Sequence, residues 1–309
     1  MPDFLPRRLF AALFASAAIA LALPGPSRAA TEAPRPGVST AGNYLAGRHA
    51  QVVREMASAI AFYAAVLARE PDNPDLLRRA FVIYLAEGRI AEALALAPRL
   101  PKEDAARNGY PEILFAADEI KRGRFAAAAA RLNALGQDGI AGFVAPLLSA
   151  WAETGRGDRP AAVAALGRLG GKEGTQVFLD LHGALLADVA GDWPQAEAGY
   201  RKIADEDGAP TVRLAVLFGN LYERMGERDK AKAVYDSFRA RNPDSRLFDD
   251  ALRRVAAKAK PKPEVGTASE GAAEALLGLA GVFRQQNVRE TAYLLARLAL
   301  HLRPDFPTA

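Results

Sequence analysis

Residues 212–245 read VRLAVLFGNLYERMGERDKAKAVYDSFRARNPDS, and this stretch carries the pattern that decides the fold. Its apolar residues recur every three or four positions on both sides of Gly226, as in two amphipathic helices joined by a tight turn. Glycine suits that turn because it readily adopts the left-handed conformation that ends a helix. The stretch therefore predicts one helix-turn-helix unit of 34 residues.

A glycine between two amphipathic stretches recurs along the chain. Glycines at spacings of 34 or 35 residues each precede a new amphipathic stretch, and they are Gly88, Gly123, Gly157, Gly191 and Gly226. Aligning units on these glycines and on Pro71 and Pro304 gives unit starts at residues 40, 74, 109, 143, 177, 212 and 273. The twentieth position of the unit, which played no part in that alignment, is alanine seven times: Ala59, Ala93, Ala128, Ala162, Ala196, Ala231 and Ala292. Small residues there let the paired helices approach closely, so the period predicts stacked repeats.

Composition agrees with packed helices and excludes several other classes of protein. The chain of 309 residues is 50% apolar and contains 67 alanines, which favours helices and argues against disorder. The absence of cysteine excludes a disulfide scaffold and a thiolate metal site. A net charge of only +4, without a clustered basic stripe, argues against a nucleic-acid partner.

The repeats resemble those of the tetratricopeptide repeat family. Unit 212–245 matches the family's consensus at Gly219, Tyr222, Gly226, Ala231 and Tyr235, and unit 273–306 is nearly as good. Units 109–142 and 143–176 depart most, because they have Glu119 and Glu153 where the consensus has an aromatic residue. The resemblance implies an all-α fold, a right-handed superhelical solenoid of about seven helix-turn-helix units.

The N-terminal residues have the pattern of a cleaved export signal. Arg7 and Arg8 precede an uncharged apolar run of fifteen residues, and Ser27-Arg28-Ala29 supplies small residues at a cleavage site after residue 29. That run is shorter than the ~20 residues of a membrane-spanning helix. We expect a signal peptide at 1–29 and a disordered segment at 30–39, with export to the periplasm by the general secretory route or, alternatively, the twin-arginine route. No later segment has 18 consecutive apolar residues, so stable membrane insertion is not expected after cleavage.

The array is interrupted near its C-terminal end. The solenoid is expected over 40–257, with its sixth unit followed by a lone helix at 246–257. Residues 258–270 are rich in lysine and proline without periodicity, which predicts a flexible linker rather than a binding patch. The last unit, 273–306, is expected to lack a cap, because its second helix carries leucines on more than one face. We expect that end to be covered by folding back onto the block, by a partner or a second copy, or by further repeats of a longer protein.

A concave groove is the candidate binding site that the family resemblance implies. Carried over position by position, its central apolar lining would be Ile113, Leu147, Trp151, Phe178, Leu181 and Leu185. Its polar ends would be Arg78, Arg213, Asn220 and Arg224. Such a surface suits an amphipathic helix or an extended peptide. The alternative is that these side chains pack within the superhelix, on the 246–257 helix or on the last unit.

No catalytic, metal or cofactor site is predicted. His49, His182 and His301 lie in three separate units, which favours structural or surface roles over a metal site or catalytic dyad. The sequence therefore predicts a non-enzymatic scaffold of the bacterial envelope that binds another protein or a peptide. The alternatives are an all-α enzyme or accessory domain acting on cell-wall glycans, and a structural component that assembles by self-association.

Overall fold

The computed structural model describes residues 35–101, 109–206 and 211–306. The expected signal peptide at 1–29 and the first half of the expected disordered segment, residues 30–34, lie outside these residues. Within the described ranges the regular structure is helical. The helices are α1 (Thr40–Val52), α2 (Met56–Leu67), α3 (Pro74–Ala86), α4 (Ile90–Leu96), α5 (Tyr110–Lys121), α6 (Phe125–Asn133), α7 (Ala141–Arg156), α8 (Arg159–Gly167), α9 (Gln176–Val189), α10 (Trp193–Glu206), α11 (Val212–Met225), α12 (Arg228–Arg241), α13 (Asp249–Ala256), α14 (Ala268–Gln285) and α15 (Arg289–Leu302).

These helices form seven hairpins and one unpaired helix, α13. Each odd-numbered helix from α1 to α11 packs on the helix that follows it, and α14 packs on α15. Successive hairpins also contact one another, for example α2 with α3 and α10 with α11. The predicted all-α repeat fold is confirmed.

The turns within the hairpins follow from the repeat glycines. All five have positive φ, between 71° and 86°. At the equivalent positions of the first and last units stand Arg54 and Asn287, each with a φ of 62°. The left-handed turn is thus kept even where the sequence has no glycine, since the next helix must reverse onto the first.

Three further positions of the repeat set how closely the helices of a hairpin pack. The seven repeat alanines at position 20 are between 0% and 7% exposed. Positions 8 and 24 are complementary in size. A Cβ on Gly219 would lie 2.3 Å from the ring of Tyr235, whereas the unit starting at 74 has the sizes exchanged, with buried Phe81 and Ala97. One large and one small residue fill the space between the helices.

The C-terminal hairpin folds back onto the preceding hairpins. Helix α14 packs on α5, α7 and α9, and α15 packs on α3 and α5. This packing buries leucines of α15 that were expected to lie on an uncapped face. Leu295 and Leu298 are 0% exposed, and Leu302 is 5% exposed. Each such side chain contributes about 1.5–3 kcal/mol on burial. Of the three expected ways to cover this end, the structure shows folding back.

The expectation of a flexible linker at 258–270 needs correction. Residues 268–270 already belong to α14, which begins with a capping box between Thr267 and Glu270. Before it, Val265 is only 2% exposed, and the Lys262 carbonyl accepts a hydrogen bond of 2.9 Å from Asn220. The segment has no regular secondary structure, but tertiary hydrogen bonds hold its second half against α11. Composition alone does not reveal those partners.

Candidate binding groove

The surface expected to bind a partner is occupied by the chain's own C-terminal hairpin. The first helices α3, α5, α7 and α9 all contact α14 or α15. The apolar centre of the groove was expected on α5, α7 and α9, and one of its polar residues, Arg78, lies on α3. We call the surface that they form the groove, and α14–α15 the C-terminal hairpin.

Apolar side chains at the centre of the groove are inaccessible to solvent. The exposed fraction is 0% for Ile113, Trp151 and Leu185, and 1% for Leu147. The indole of Trp151 lies directly beneath α14, where a Cβ on Gly271 would come within 2.2 Å of it. Only glycine allows the helix to approach the ring this closely. Trp151 and Gly271 therefore set the depth at which the hairpin sits.

A buried aromatic group extends from Trp151 towards α9. Trp151 Nε1 donates a hydrogen bond of 3.1 Å to Nδ1 of His182, and the ring of Phe178 stacks on that imidazole with an interplanar angle of 5°. Phe178 in turn lies 3.1 Å from the position of a Cβ on Gly278. Complete burial lowers the pKa of His182 to about 3. The histidine is therefore a neutral acceptor, as the sequence expectation of a structural role allowed.

The polar end of the groove holds the hairpin by charge. Nε of Arg213 on α11 donates to Oε1 of Glu274 on α14 at 2.9 Å, and its Nη1 lies 3.1 Å from Glu264. Burial lowers the pKa of Arg213, but its two carboxylate partners outweigh that effect, so the pKa is raised. Asn220 Nδ2 donates to the Lys262 carbonyl. These contacts fix the start of the hairpin against α11.

Three of the predicted residues, Arg224, Arg78 and Leu181, have different surroundings, and Arg224 Nε donates to Oδ1 of Asn220 at 2.8 Å. Arg224 is paired with Asp188 on the neighbouring first helix at 2.6 Å, so it joins two repeats. Arg78 forms an ion pair with Asp75 within α3, and half of its side chain is exposed. Leu181 is half-buried. The other seven predicted residues are buried or mostly buried where the hairpin packs.

Several residues that hold the far end of the hairpin were missed by sequence reasoning. The hydroxyl of Tyr110 on α5 lies 2.8 Å from that of Thr291 on α15. Nearer the end of α15, His301 lies between Asp118 and Lys121, and burial together with Lys121 lowers its pKa. Each pair is about 180 residues apart in the sequence. No local signal connects them, because the pairing depends on the fold-back.

Buried carboxylates in the repeats are paired with arginines. The pairs are Asp118–Arg122, Glu119–Arg131, Glu153–Arg156, Asp188–Arg224, Glu223–Arg254 and Glu274–Arg213. Four of these pairs link different helices, whereas Asp118–Arg122 and Glu153–Arg156 are i,i+4 and i,i+3 pairs along one helix. In each case, removing one partner leaves a buried charge. In residues 35–101, 109–206 and 211–306, no group of three or more acidic, histidine or cysteine side chains is arranged to hold a metal ion.

One family model and two solved structures are similar to this chain. Residues 54–111 match the family model of the tetratricopeptide repeat. A tetratricopeptide repeat protein from Parabacteroides merdae, known from its crystal structure, is 16% identical and superposes with a TM-score of 0.52 over 86% of this chain and 94% of its own. The crystal structure of MamA protein is also 16% identical, with a TM-score of 0.28 over 72% of this chain and 98% of its own. A search of curated sequences found no significant match.

The match to the repeat model falls on helices α2 to α4. The shared fold extends over most of the chain. Among the helices that the structure describes, each is too short or too polar to span a bilayer. Residues 54–111 of this chain therefore match the tetratricopeptide repeat, and its fold is similar to that of a solved tetratricopeptide repeat protein.

Proposed function

We propose that this protein is a non-enzymatic interaction scaffold whose groove binds an amphipathic helical segment of another protein. The observation that carries the proposal is the occupant of the groove, since α14 already lies there with Gly271 against Trp151 and Glu274 paired with Arg213. A groove that accommodates one helix by apolar packing and an ion pair at one end suits a second helix of the same pattern.

In this proposal the C-terminal hairpin is a tethered competitor. The segment between Ala256 and Ala268 is only 11 residues long, so the hairpin acts at an effective concentration in the millimolar range. A partner of equal intrinsic affinity would be excluded at ordinary concentrations. Binding would require a tighter partner helix or a second contact that adds affinity.

The test uses the full chain with a specific protease site inserted after Lys260, in the exposed part of the segment. After cleavage, we expect the hairpin to remain bound and to exchange with a fluorescent peptide of residues 261–309. Trp151→Ala should speed that exchange about tenfold or more. Trp193→Ala is the matched control, because this half-buried tryptophan lies on α10, which forms no part of the groove.

One result would contradict the proposal. If the remaining chain loses its helical circular dichroism or aggregates as the hairpin leaves, then α14–α15 is an integral part of the core and not a ligand. In that case the groove would not form as a binding site without the hairpin.

We further propose that the protein acts in the bacterial envelope. The support is the arrangement of Arg7 and Arg8, an apolar run and Ser27-Arg28-Ala29 at the start of the sequence. Mass spectrometry of the chain recovered from a periplasmic fraction should give a mature N-terminus at Ala30. Recovery of the unprocessed chain from the cytoplasm would contradict this.

A further inference from the structure

The C-terminal hairpin leaves an open groove on its other face. This outer groove has a volume of about 630 Å³ and lies between α14 and α15, with Ala280, Gly281 and Ala296 among its lining residues. Arg284 and Arg289 stand at its edge, and Tyr293 is 47% exposed there. An accessible apolar surface of this kind is typical of an interaction site.

Alignment of the repeats shows which residues pack on the equivalent face of other units in the chain. In the unit starting at 212, the equivalent face is covered by α13. The ring of Tyr235 at position 24 stacks on Phe248 with centroids 4.9 Å apart. Glu223 at position 12 pairs with Arg254 at 3.0 Å. Tyr235 and Glu223 on that face thus each have a partner at the next helix.

The preceding unit follows the same rule. Position 12 of the unit starting at 177 is Asp188, and it pairs with Arg224 of the next helix, α11. Position 24 is Tyr200, whose ring centroid lies 5.8 Å from that of Phe218 on α11. A charge at position 12 is therefore met by the opposite charge on the helix that docks.

The last unit differs from these two units at both positions. Position 12 is Arg284, a cation in place of the acidic residue, and its guanidinium has no ion pair with any residue in the described part of the chain. Position 24 is Ala296, so both it and Ala280 at position 8 are small. The space that tyrosine or leucine fills in most other units is left open, which accounts for the outer groove.

The charges around the outer groove are cationic. Besides Arg284 and Arg289, Arg297 lies beside it, with its guanidinium 5.1 Å from the ring of Tyr293. The neighbouring Glu290 is not among the residues that line this groove, and it lies close enough to Tyr110 to interact with it electrostatically. A docking helix would therefore meet positive potential along this edge.

A second copy of this chain does not complement this surface. In a head-to-tail arrangement α1 would dock there, as the first helix of the next solenoid. Residues 39–54 around α1 contain Arg48 and Arg54 and no carboxylate. Cations would face cations, so self-association is disfavoured at this groove.

We propose that the outer groove binds an acidic amphipathic helix of a partner protein. A large apolar side chain of that helix fills the space between Ala280 and Ala296, and a carboxylate about one turn away pairs with Arg284. The helix takes the place that α13 takes on the unit starting at 212. This site is independent of the groove that holds the hairpin, and each can fail its test without the other.

The probe is a peptide based on α13, because that helix already fits the equivalent face. Residues 246–257 are synthesised with Arg254→Glu and a side-chain staple between positions 249 and 253, since an isolated helix of this length is marginal in water. The control is the same stapled peptide with Arg254 retained. Both are titrated into the full chain labelled at the alanine methyl groups.

We expect the Arg254→Glu peptide to shift the methyl signals of Ala280, Ala292 and Ala296, with an affinity at least about tenfold above that of the control peptide. Arg284→Glu with Arg289→Glu should reverse the preference in favour of the control peptide. Ala296→Leu should fill the groove, as Leu132 and Leu166 do at position 24 of their units, so it should raise the melting temperature and abolish binding.

Three outcomes would overturn the proposal. The first is equal binding of both peptides, and the second is the absence of shifts at these three alanines. The third is a dimer in light scattering that Ala296→Leu disperses, which would assign the face to a second copy. Because Ala296→Leu is expected to stabilise the chain, a loss of binding in that variant cannot be attributed to unfolding.

Discussion

At the residue scale, a few side chains without any sequence motif decide how the groove is filled. Gly271 and Trp151 are in van der Waals contact across 120 residues of sequence. The tryptophan is also held by His182, a base that burial keeps neutral. Small substitutions at these positions should therefore change the free energy of unfolding in the direction opposite to that usually seen for the same substitution.

Replacement of Gly271 by alanine should destabilise the protein, although the same change usually stabilises a helix by about 0.5–1 kcal/mol. The new methyl group would lie 2.2 Å from Trp151, so the helix must shift, at a cost of about 1–3 kcal/mol. Gly281→Ala on the same helix meets nothing within 4 Å and should be stabilising. Urea unfolding of the two variants measures the contrast, and equal effects would count against the close packing.

Acidification should weaken the fold through His182. Its pKa is about 3 in the folded state and about 6.5 in the unfolded chain. The unfolded state therefore binds the extra proton first, and stability falls as the pH drops below about 6.5, by about 2 kcal/mol at pH 5.

The check is the difference in unfolding free energy between about pH 7 and pH 5 for the wild type and for His182→Gln. Glutamine keeps a hydrogen-bond acceptor for Trp151 and removes the titrating group. The free energy of unfolding of the variant should therefore fall by about 2 kcal/mol less than that of the wild type between about pH 7 and pH 5. The exposed His49→Gln serves as the control. An unchanged difference in His182→Gln would show that His182 is protonated in the folded state.

At the element scale, the hairpin α14–α15 is fastened at both ends and packed in the middle. Arg213 and Glu264 hold the start of α14, and Arg297 on α15 donates to the Ala86 carbonyl at the end of α3 at 2.5 Å. Between these points, glycines of α14 pack against Trp151 and Phe178, and buried leucines and alanines of the hairpin belong to the same apolar core. The ion pairs therefore specify where the hairpin sits, and the apolar packing supplies most of its stability.

Removal of Arg213 alone should be strongly destabilising. Arg213→Met leaves Glu274, whose side chain is 7% exposed, without its partner, and we expect a loss of about 3–5 kcal/mol. Adding Glu274→Met should restore much of that loss, because the pair is then replaced by apolar side chains. A double-mutant cycle by urea unfolding measures the coupling. Additive losses would contradict a buried ion pair.

At the scale of the whole molecule, the fold-back changes which parts of the repeat array are most stable. The main core extends from Phe81 to Phe306 and includes the C-terminal hairpin. The first hairpin and part of the second form a smaller cluster, while Phe81, Leu85 and Ala93 of the second hairpin belong to the main core. Tyr84 and Leu100 pack against both clusters. In α1 the side chains of Leu45 and Val52 are 66% and 77% exposed. The N-terminal end is therefore the less protected end of the array.

Hydrogen exchange should show this asymmetry directly. Amides of α15, although close to the C-terminus, should exchange as slowly as those of α5 and α7 on which the hairpin packs. Amides of α1 should exchange by local opening at a lower free energy, because among the described helices it packs chiefly on α2 and leaves Leu45 and Val52 exposed. Mass spectrometry of exchanged peptides gives the order. Faster exchange in α15 than in α1 would contradict the fold-back.

The sequence by itself determined the repeat, its hairpin turns and the alanine at position 20, because these depend on contacts within a unit or with the next one. The resemblance to a known repeat family also predicted lining residues for a groove, among them Trp151 and Arg213, and the structure places these two against the C-terminal hairpin. Only the tertiary structure decided that the groove is occupied. The contacts of Trp151 with Gly271 and of Arg213 with Glu274 join segments 61 to 120 residues apart. Alanine, glycine and leucine carry no directional signal, so no local pattern shows that the last hairpin packs back onto the first helices of earlier repeats.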